Sequence, residues 1–320
     1  FLIIHKDMHN VYDCFYSDEG SIVLVSPAEQ EQLNISYKDQ EFEVFTCSHK
    51  HTYIYVLKNQ EYEPSIQLCI NNKFLVMNVK KYPAFPNKVI MSTMVYNEDN
   101  YIRQWITFHK RLGIEHFIIY DNSKIDDKRS YKSMEKSSNL QKVLEDFIAD
   151  GTVLLINWPY PKRMKKSGIS GQTTQQCHSL WAFKQCLYIG FFDIDEYVNM
   201  QQHKSILDFL RSEPSEDIGS IALCDRDFYN PLNKPTNSFN FLKIYDCSKI
   251  ILNGRHKHFV IPKNVQALSV HEITLGKPMH IVNENKAYFN HYFFLNKSKR
   301  GKNKTSVEDN SIGAHTKNLF

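Results

Sequence analysis

Strand-like and helix-like segments alternate after residue 86, and this alternation limits the fold more than any other feature of the chain. Val89–Val95, His116–Tyr120 and Val153–Ile156 are short runs rich in β-branched and aromatic residues, as expected of buried strands. The segments between them, Tyr101–Leu112 and Leu140–Ala149, have the apolar spacing of helices. Strands separated by helices of this length predict an α/β fold with a mostly parallel central sheet.

The first 85 residues have a different pattern, with short strand-like runs and few helical signals. Ser65–Ile70 and Lys73–Val79 are separated by an Asn-Asn pair, which predicts a hairpin turn. Tyr82–Pro86 contains two prolines and predicts a stiff boundary. We therefore predict a small β-rich N-terminal domain over residues 1–85 and a larger α/β domain with a polar C-terminal tail over residues 86–320.

A third feature is the stretch Tyr188–Tyr197, which follows a predicted helix over Thr173–Leu187. Its apolar first half predicts a buried strand, and Asp193, Asp195 and Glu196 come directly after it. Ligands of open α/β sheets bind outside the carboxyl ends of the strands. In an extended strand the side chains of residues i and i+2 share a face, so these aspartates could converge on one Mn²⁺ or Mg²⁺ ion that also binds a substrate's phosphates. The alternative is an acidic surface turn.

The composition and charge exclude several other classes of protein. The formal net charge is only +4 and the basic excess lies mainly in residues 162–166 and 297–304, so we expect no nucleic-acid partner. Neither a G-x-x-x-x-G-K-[ST] loop nor a G-x-G-x-x-G motif occurs, which argues against P-loop and dinucleotide chemistry. The seven cysteines contain no C-x-x-C pair. A disulfide among the three in the first quarter and free buried thiols are both open.

The cellular compartment stays open at this point. No run of about eighteen apolar residues occurs in the chain, so no segment is expected to span a membrane. The sequence starts at Phe1, and a membrane anchor upstream of it remains an alternative. Such an anchor would place the chain in the Golgi or another secretory lumen, and without one we expect a cytoplasmic protein.

Several blocks of residues, taken in order and spacing, resemble glycosyltransferase family 92 over residues 88 to 300. These blocks are Val95–Glu98, His109–Phe117, Ile119–Ser123, Phe192–Tyr197, Ser269–Glu272 and Asn290–Tyr292. The resemblance implies a GT-A type nucleotide-diphospho-sugar transferase fold. It also implies a Mn²⁺-dependent UDP-sugar donor, typically UDP-galactose, and inversion at the anomeric carbon. The acceptors implied are glycans on proteins or lipids.

The resemblance also assigns roles to residues that follow the predicted strands. Asp193 would lie near the ribose and the metal, and Asp195 would bind the metal directly. Asn97, Glu98 and Asp121 follow the first two strands, where such an enzyme holds the nucleoside. The alternatives are a turn that caps the next helix for the first two and an Asx turn for Asp121.

Two histidines are candidates for a third metal ligand, because imidazole also suits Mn²⁺. They are His271 and His291, and we favour His291 because Lys297 and Ser298 follow it and could meet the phosphates. The alternative for either histidine is a satisfied core or surface residue.

An inverting transfer needs a carboxylate that takes the proton of the acceptor hydroxyl. Asp225 and Asp227 follow a predicted strand and are our candidates, with Glu272 in reserve; the alternative is a pair of loop acids that flank Arg226. We predict a metal-dependent inverting glycosyltransferase that moves galactose, or xylose or another hexose, from a UDP-sugar to a glycan hydroxyl. The competing hypothesis is a carbohydrate-binding protein that keeps the fold without turnover.

Overall fold

The computed structural model describes residues 11–27, 32–47, 52–96, 98–122, 139–158, 171–228, 246–248, 252–292 and 306–316. Its N-terminal strands are β1 Asp13–Tyr16, β2 Ile22–Pro27, β3 Ile35–Tyr37, β4 Gln40–Glu41, β5 Glu43–Cys47, β6 Thr52–Leu57, β7 Ser65–Ile70, β8 Lys73–Asn78 and β9 Lys80–Lys81. They form two sheets, in the orders β5-β6-β2-β1-β9 and β4-β3-β7-β8. Asn71 and Asn72 have φ values of 47° and 63°, which asparagine tolerates better than most residues, and they form the predicted hairpin turn. The domain boundary at residue 85 stays a prediction.

The rest of the described chain alternates strands and helices as far as β13 and then becomes richer in strands. The first group is β10 Val89–Val95, α1 Asp99–Arg111, β11 His116–Asp121, α2 Leu140–Val143, α3 Glu145–Ala149, β12 Val153–Asn157, α4 Gly171–Ala182 and β13 Tyr188–Phe191. The second group is β14 Glu196–Met200, α5 Ile206–Ser212, β15 Ser220–Phe228, β16 Asp246–Ser248, β17 Leu252–Val260, β18 Val265–Leu268, β19 Ile273–Gly276, β20 Met279–Ile281, β21 Ala287–Tyr292, β22 Ser306–Glu308 and α6 Gly313–Thr316. A 3₁₀ turn covers Pro262–Asn264.

The largest sheet has a parallel half and a mixed half. Its main order is β12-β11-β10-β13-β17-β15-β16-β22. The first four strands are parallel, whereas β17 runs antiparallel to both β13 and β15. The prediction of an α/β fold is confirmed, and the predicted parallel arrangement holds for these four strands. The reason is connectivity, because helices join β10, β11, β12 and β13 in turn, whereas a short turn leads from β13 to β14.

Helices α1 and α4 lie on opposite faces of the parallel strands. Met91 and Phe117 belong to the same hydrophobic cluster as Trp105 of α1. Their chain neighbours Ile90 and Ile118 belong to a second cluster, which also contains α4 and residues of the N-terminal strands. The N-terminal sheet therefore covers α4 from the outside. A disulfide between Cys47 of β5 and Cys177 of α4 joins the N-terminal sheet to this helix. Cys47 is therefore not paired with another cysteine of the first quarter of the chain.

Three local predictions differ from the structure. The predicted helix Thr173–Leu187 ends at Ala182, and the one over Leu140–Ala149 is divided at Leu144. The tail after Gly301 contains β22 and α6, and Ile312 is fully buried there, so one apolar side chain fixes part of a segment that composition alone describes as polar. None of the helices within the described ranges has the length and hydropathy needed to span a membrane.

Candidate active site

The acidic stretch after β13 is a turn rather than a continued strand. β13 ends at Phe191 and β14 begins at Glu196, so Asp193 and Asp195 lie between the two strands. The backbone N–H of Glu196 donates to the carbonyl of Asp193 at 3.0 Å, and that of Tyr292 donates to the carbonyl of Asp195 at 2.8 Å. The prediction of an extended strand whose two aspartates share one face is therefore wrong. In the turn the two carboxylates meet different partners.

Asp193 lies beside a buried ammonium group. Nζ of Lys257 is 2.9 Å from Oδ2 of Asp193 and 3.2 Å from Oε2 of Glu196. The side-chain amide of Gln172, in the first turn of α4, donates to Oδ1 of Asp193 at 2.5 Å. The backbone N–H of Asp193 donates to Oε2 of Glu196 at 2.8 Å. Side chains from three elements, α4, β14 and β17, thus hold Asp193 and this side of the turn in place.

The charge states of this group follow from burial and pairing. Burial alone would lower the pKa of Lys257, but the carboxylates of Asp193 and Glu196 raise it above its usual value. Burial raises the pKa of Glu196 to about 8, against the effect of the Lys257 ammonium. The two donors at Oε2 of Glu196 favour its carboxylate form. We assign the Lys257 and Glu196 pair as ionised for that reason.

Asp195 faces a histidine instead. Oδ2 of Asp195 is 3.6 Å from Nε2 of His291, and Oδ1 of Asp225 is 3.5 Å from the other ring nitrogen, Nδ1. The register of the antiparallel pair β14 and β21, which places Glu196 opposite His291, brings these residues together. Burial opposes the charged imidazolium, yet the carboxylates of Asp195 and Asp225 raise the pKa of His291 well above its ordinary value.

Both predicted base candidates lie on β15 and contact one arginine. Nη2 of Arg255 is 2.8 Å from Oδ2 of Asp225 and 3.2 Å from Oδ1 of Asp227. Each aspartate is 1% exposed. The register of β15 and β17 shifts between Leu223 and Asp225, and irregularities of this kind re-aim side chains beside functional sites. Arg255 belongs to the shifted part of β17.

Two groups of side chains among the described residues have the geometry of a metal site. Asp195, Glu196 and His291 offer ligand atoms that all lie within 4.8 Å of one another, and Asp225, Asp227 and His291 form the second group. Arg255 already contacts both aspartates of the second group. The Asp195 carboxylate is 23% exposed, whereas that of Asp225 is 1% exposed. The first group is therefore the better candidate for a cation that enters from solvent.

Three further predicted residues, Asp121, Glu98 and His271, belong to neither of these two groups. Asp121 ends β11 and pairs with Val95, the last residue of β10, so it lies at the same edge of the sheet as the acidic turn. Glu98 is half-buried at the N-terminus of α1 and does not cap it through its side chain. His271 belongs to neither metal-like group. Its Nδ1 contacts the carbonyl of His256 at 3.0 Å, and burial lowers its pKa.

Four more predicted residues are exposed or lie outside the described ranges. Glu272, the reserve base, is exposed. Asn97, Lys297 and Ser298 lie outside the described residues, so their roles as nucleotide-binding residues stay predictions.

Three residues of the candidate site were not predicted from the sequence, namely Gln172, Arg255 and Lys257. The run Arg255–His258 at the start of an apolar strand contained a signal. Two basic side chains at alternate positions of a buried strand point to one face, and a buried cation needs an acidic partner. Gln172 carried no such signal, because its contact depends on how α4 is placed.

A cluster of carboxylates and one histidine at the carboxyl edge of parallel strands is typical of enzymes that bind phosphorylated substrates through a divalent cation. The chain belongs to glycosyltransferase family 92, because the model of that family matches residues 88–318. The resemblance found in the sequence is thereby confirmed.

Individual relatives are similar over part of their length. A glycosyltransferase family 92 protein of Ricinus communis is 24% identical over 215 residues, which cover 65% of this chain and 35% of that protein. One of Oryza sativa subsp. japonica is 26% identical over 212 residues, covering 64% and 33%. The chain thus spans about a third of the length of these relatives. Among solved structures, the apo structure of the bifunctional glycosyltransferase WbbM matches with a TM-score of 0.29 and 16% identity, over 48% of this chain and 27% of that one.

Proposed function

We propose that this chain catalyses the metal-dependent, inverting transfer of a sugar from a UDP-sugar to a hydroxyl group of a glycan. The observation that carries the proposal is the group Asp195, Glu196 and His291, whose ligand atoms lie within 4.8 Å of one another in a family 92 chain. The four parallel strands with an acidic turn at their carboxyl edge support a GT-A type fold for the sheet.

The side chains fit the cation that such a transfer requires. Carboxylate oxygens suit Mg²⁺ and Mn²⁺, and an imidazole nitrogen favours Mn²⁺. Asp195 and His291 would hold the ion, with Glu196 beside them. The chemistry supplied by the bound cation would be neutralisation of the charge that develops on the departing UDP.

The geometry divides the two predicted base candidates. Asp225 contacts Nδ1 of His291, so in this proposal it orients the imidazole, as carboxylates beside metal-bound histidines do. Asp227 is then the general base. Its carboxylate takes the proton of the acceptor hydroxyl as that oxygen bonds to the anomeric carbon and the bond from this carbon to UDP breaks. Arg255 holds the Asp227 carboxylate in place.

The donor and acceptor follow from the family rather than from single contacts. We propose UDP-galactose as the donor, with UDP-xylose or another UDP-hexose as alternatives, because a few pocket contacts decide between such sugars. Asp121, at the end of β11, and Glu98, at the start of α1, would contact the nucleoside. The acceptor would be a glycan on a protein or a lipid.

A screen of UDP-sugars for Mn²⁺-stimulated hydrolysis and transfer tests this proposal. We expect turnover of one UDP-sugar and a loss of at least about 100-fold in Asp195→Ala, as for removal of a group that stabilises developing charge. Asp217→Ala is the matched control, because that carboxylate is 99% exposed, and it should keep full activity. Equal activity of the wild type and Asp195→Ala would overturn the assignment of Asp195.

Calorimetric titration with UDP, with and without Mn²⁺, separates the two functional hypotheses. Metal-dependent UDP binding together with turnover supports the transferase. Binding of UDP without turnover of any donor would favour the alternative, a carbohydrate-binding protein that has kept the fold.

A further inference from the structure

A lysine ammonium is buried among the carboxylates of the proposed metal site. The Lys257 side chain is 2% exposed, and its Nζ lies 2.9 Å from Asp193 and 3.2 Å from Glu196. Neither the family match nor the Asp-x-Asp pattern accounts for a cation at this position. Removing an ammonium group from water costs several kcal/mol unless its partners compensate. Asp193 and Glu196 supply that compensation here, and Glu196 is also a member of the proposed metal group.

The position of the ammonium resembles that of a second metal ion. Nζ lies between a carboxylate oxygen of Asp193 and one of Glu196, and Glu196 is also a member of the group with Asp195 and His291. One carboxylate thus lies between the lysine ammonium and the candidate metal position. Phosphatases, polymerases and nucleases often place two divalent cations side by side in such surroundings.

The charges of the site also favour a divalent cation. The carboxylates are Asp193, Asp195, Glu196, Asp225 and Asp227, and the side chains with a permanent positive charge, Arg255 and Lys257, contact four of them. With His291 neutral, as metal binding requires, an excess of negative charge remains that a divalent ion would lower. Strand β17 supplies both permanent cations. Arg255 contacts Asp225 and Asp227, and Lys257 contacts Asp193 and Glu196.

We propose that Lys257 is a positioning residue that fills the place of a second divalent cation, so that the enzyme uses one metal ion at Asp195 and His291. Asp193 is held by Lys257 and Gln172 rather than by the metal. This inference rests on the proposed metal-dependent transfer and adds to it the number of ions and the residue that sets that number.

The test is the number of Mn²⁺ ions bound per chain, measured by electron paramagnetic resonance titration without any donor. We expect one ion in the wild type and in Lys257→Arg, which keeps the charge. We expect two in Lys257→Ala, because the vacated position is lined by Asp193 and Glu196. Lys184→Ala is the matched control: Lys184 is also buried, but its ammonium donates to the carbonyl of Val265, so it should bind one ion.

Circular dichroism first establishes that each variant is folded. If Lys257→Ala does not fold, Lys257→Gln takes its place, since its amide can still donate to Asp193 while the charge is absent, and we expect two ions there as well. Two ions in the wild type would overturn the inference. The same follows if folded Lys257→Ala or Lys257→Gln bind Mn²⁺ with the wild-type number and affinity.

The metal dependence of turnover gives a second readout, which a purely structural role would not change. We expect the rate to depend on one Mn²⁺ in the wild type and on two in Lys257→Ala, with kcat lowered about 10- to 100-fold and partly restored in Lys257→Arg. If the wild type turns over no UDP-sugar, the proposed function fails while the ion count still decides the role of Lys257. One ion in the wild type and a second in Lys257→Ala would still support the inference; no ion in the wild type would overturn it.

Discussion

Helices α1 and α4 lie on opposite faces of the same parallel strands, yet their sequences follow different rules. In α1 the residues Ile102, Trp105 and Ile106 are fully buried, while Arg103 and Lys110 on the other face are exposed. In α4 every residue except Gln172 is buried, although most of its first nine residues are polar. Hydrophobic periodicity therefore predicts which residues of α1 are buried, but not which residues of α4 are.

The reason for this difference is the N-terminal sheet, which covers α4. Buried polar groups need hydrogen-bond partners, and several of those in α4 find them in remote parts of the chain. The hydroxyl groups of Thr174 and Thr52 lie 2.7 Å apart, and Nε2 of His178 is 3.0 Å from Oδ2 of Asp13. The helix that supplies Gln172 to the candidate active site is thus positioned by the β-rich N-terminal segment. A part of the chain outside the region matched by the family model contributes to the placement of the site.

The largest effect that this comparison predicts is on stability at α1. Trp105 is fully buried, and its Nε1–H donates to the carbonyl of Glu196 at 3.0 Å. Trp105→Ala should lower the free energy of unfolding by about 3–5 kcal/mol, because it leaves a cavity and an unpaired carbonyl. Urea denaturation measures this. Thr107→Ala, at an exposed position of the same helix, should change it by less than about 0.5 kcal/mol, and equal effects of the two would break the assignment of the buried face.

The pH dependence of stability extends this comparison, because α1 and α4 each contain one buried histidine. Burial lowers the pKa of His109 in α1 to about 3, and its Nδ1 contacts the carbonyl of Trp105. The imidazole of His109 is protonated below about pH 6.5 in the unfolded chain, but only near pH 3 in the folded protein. The contribution of neutral His109 to the free energy of unfolding is therefore fully present above pH 6.5 and is lost as the pH falls towards 3. The loss is roughly 3 kcal/mol at pH 4.

The variants His109→Gln and His178→Gln measure these contributions through unfolding free energies between pH 7 and pH 4. His109→Gln should flatten the pH dependence. Burial also lowers the pKa of His178, but the Asp13 carboxylate opposes the shift, so His178→Gln should flatten it less. A steeper dependence in His109→Gln than in the wild type would contradict the neutral, buried state of His109.

The sequence predicted those parts of the fold and site that local pattern determines. The bounds of β10, the turn at Asn71 and Asn72 and the apolar face of α1 follow from neighbouring residues. Placing acids beside a histidine also succeeded, because Asp195 and His291 do meet. The sequence left open whether Asp193 lies in a strand or a turn, and the contacts that hold the turn come from β17 and α4. For Lys257 the sequence indicates a buried cation but not its partners, which lie about sixty positions earlier in the chain.

The smallest predicted effect tests the seam between α4 and the N-terminal sheet directly. Thr52 and Thr174 are both fully buried and bond to each other. Thr52→Val or Thr174→Val alone should lower the free energy of unfolding by about 1–3 kcal/mol, because the remaining buried hydroxyl loses its partner. The double variant should cost less than the sum, since two apolar groups of the same shape then face each other. A double-mutant cycle in urea gives a coupling of about 1 kcal/mol if the sheet packs on α4 as described, and strictly additive costs would show that the two threonines do not touch.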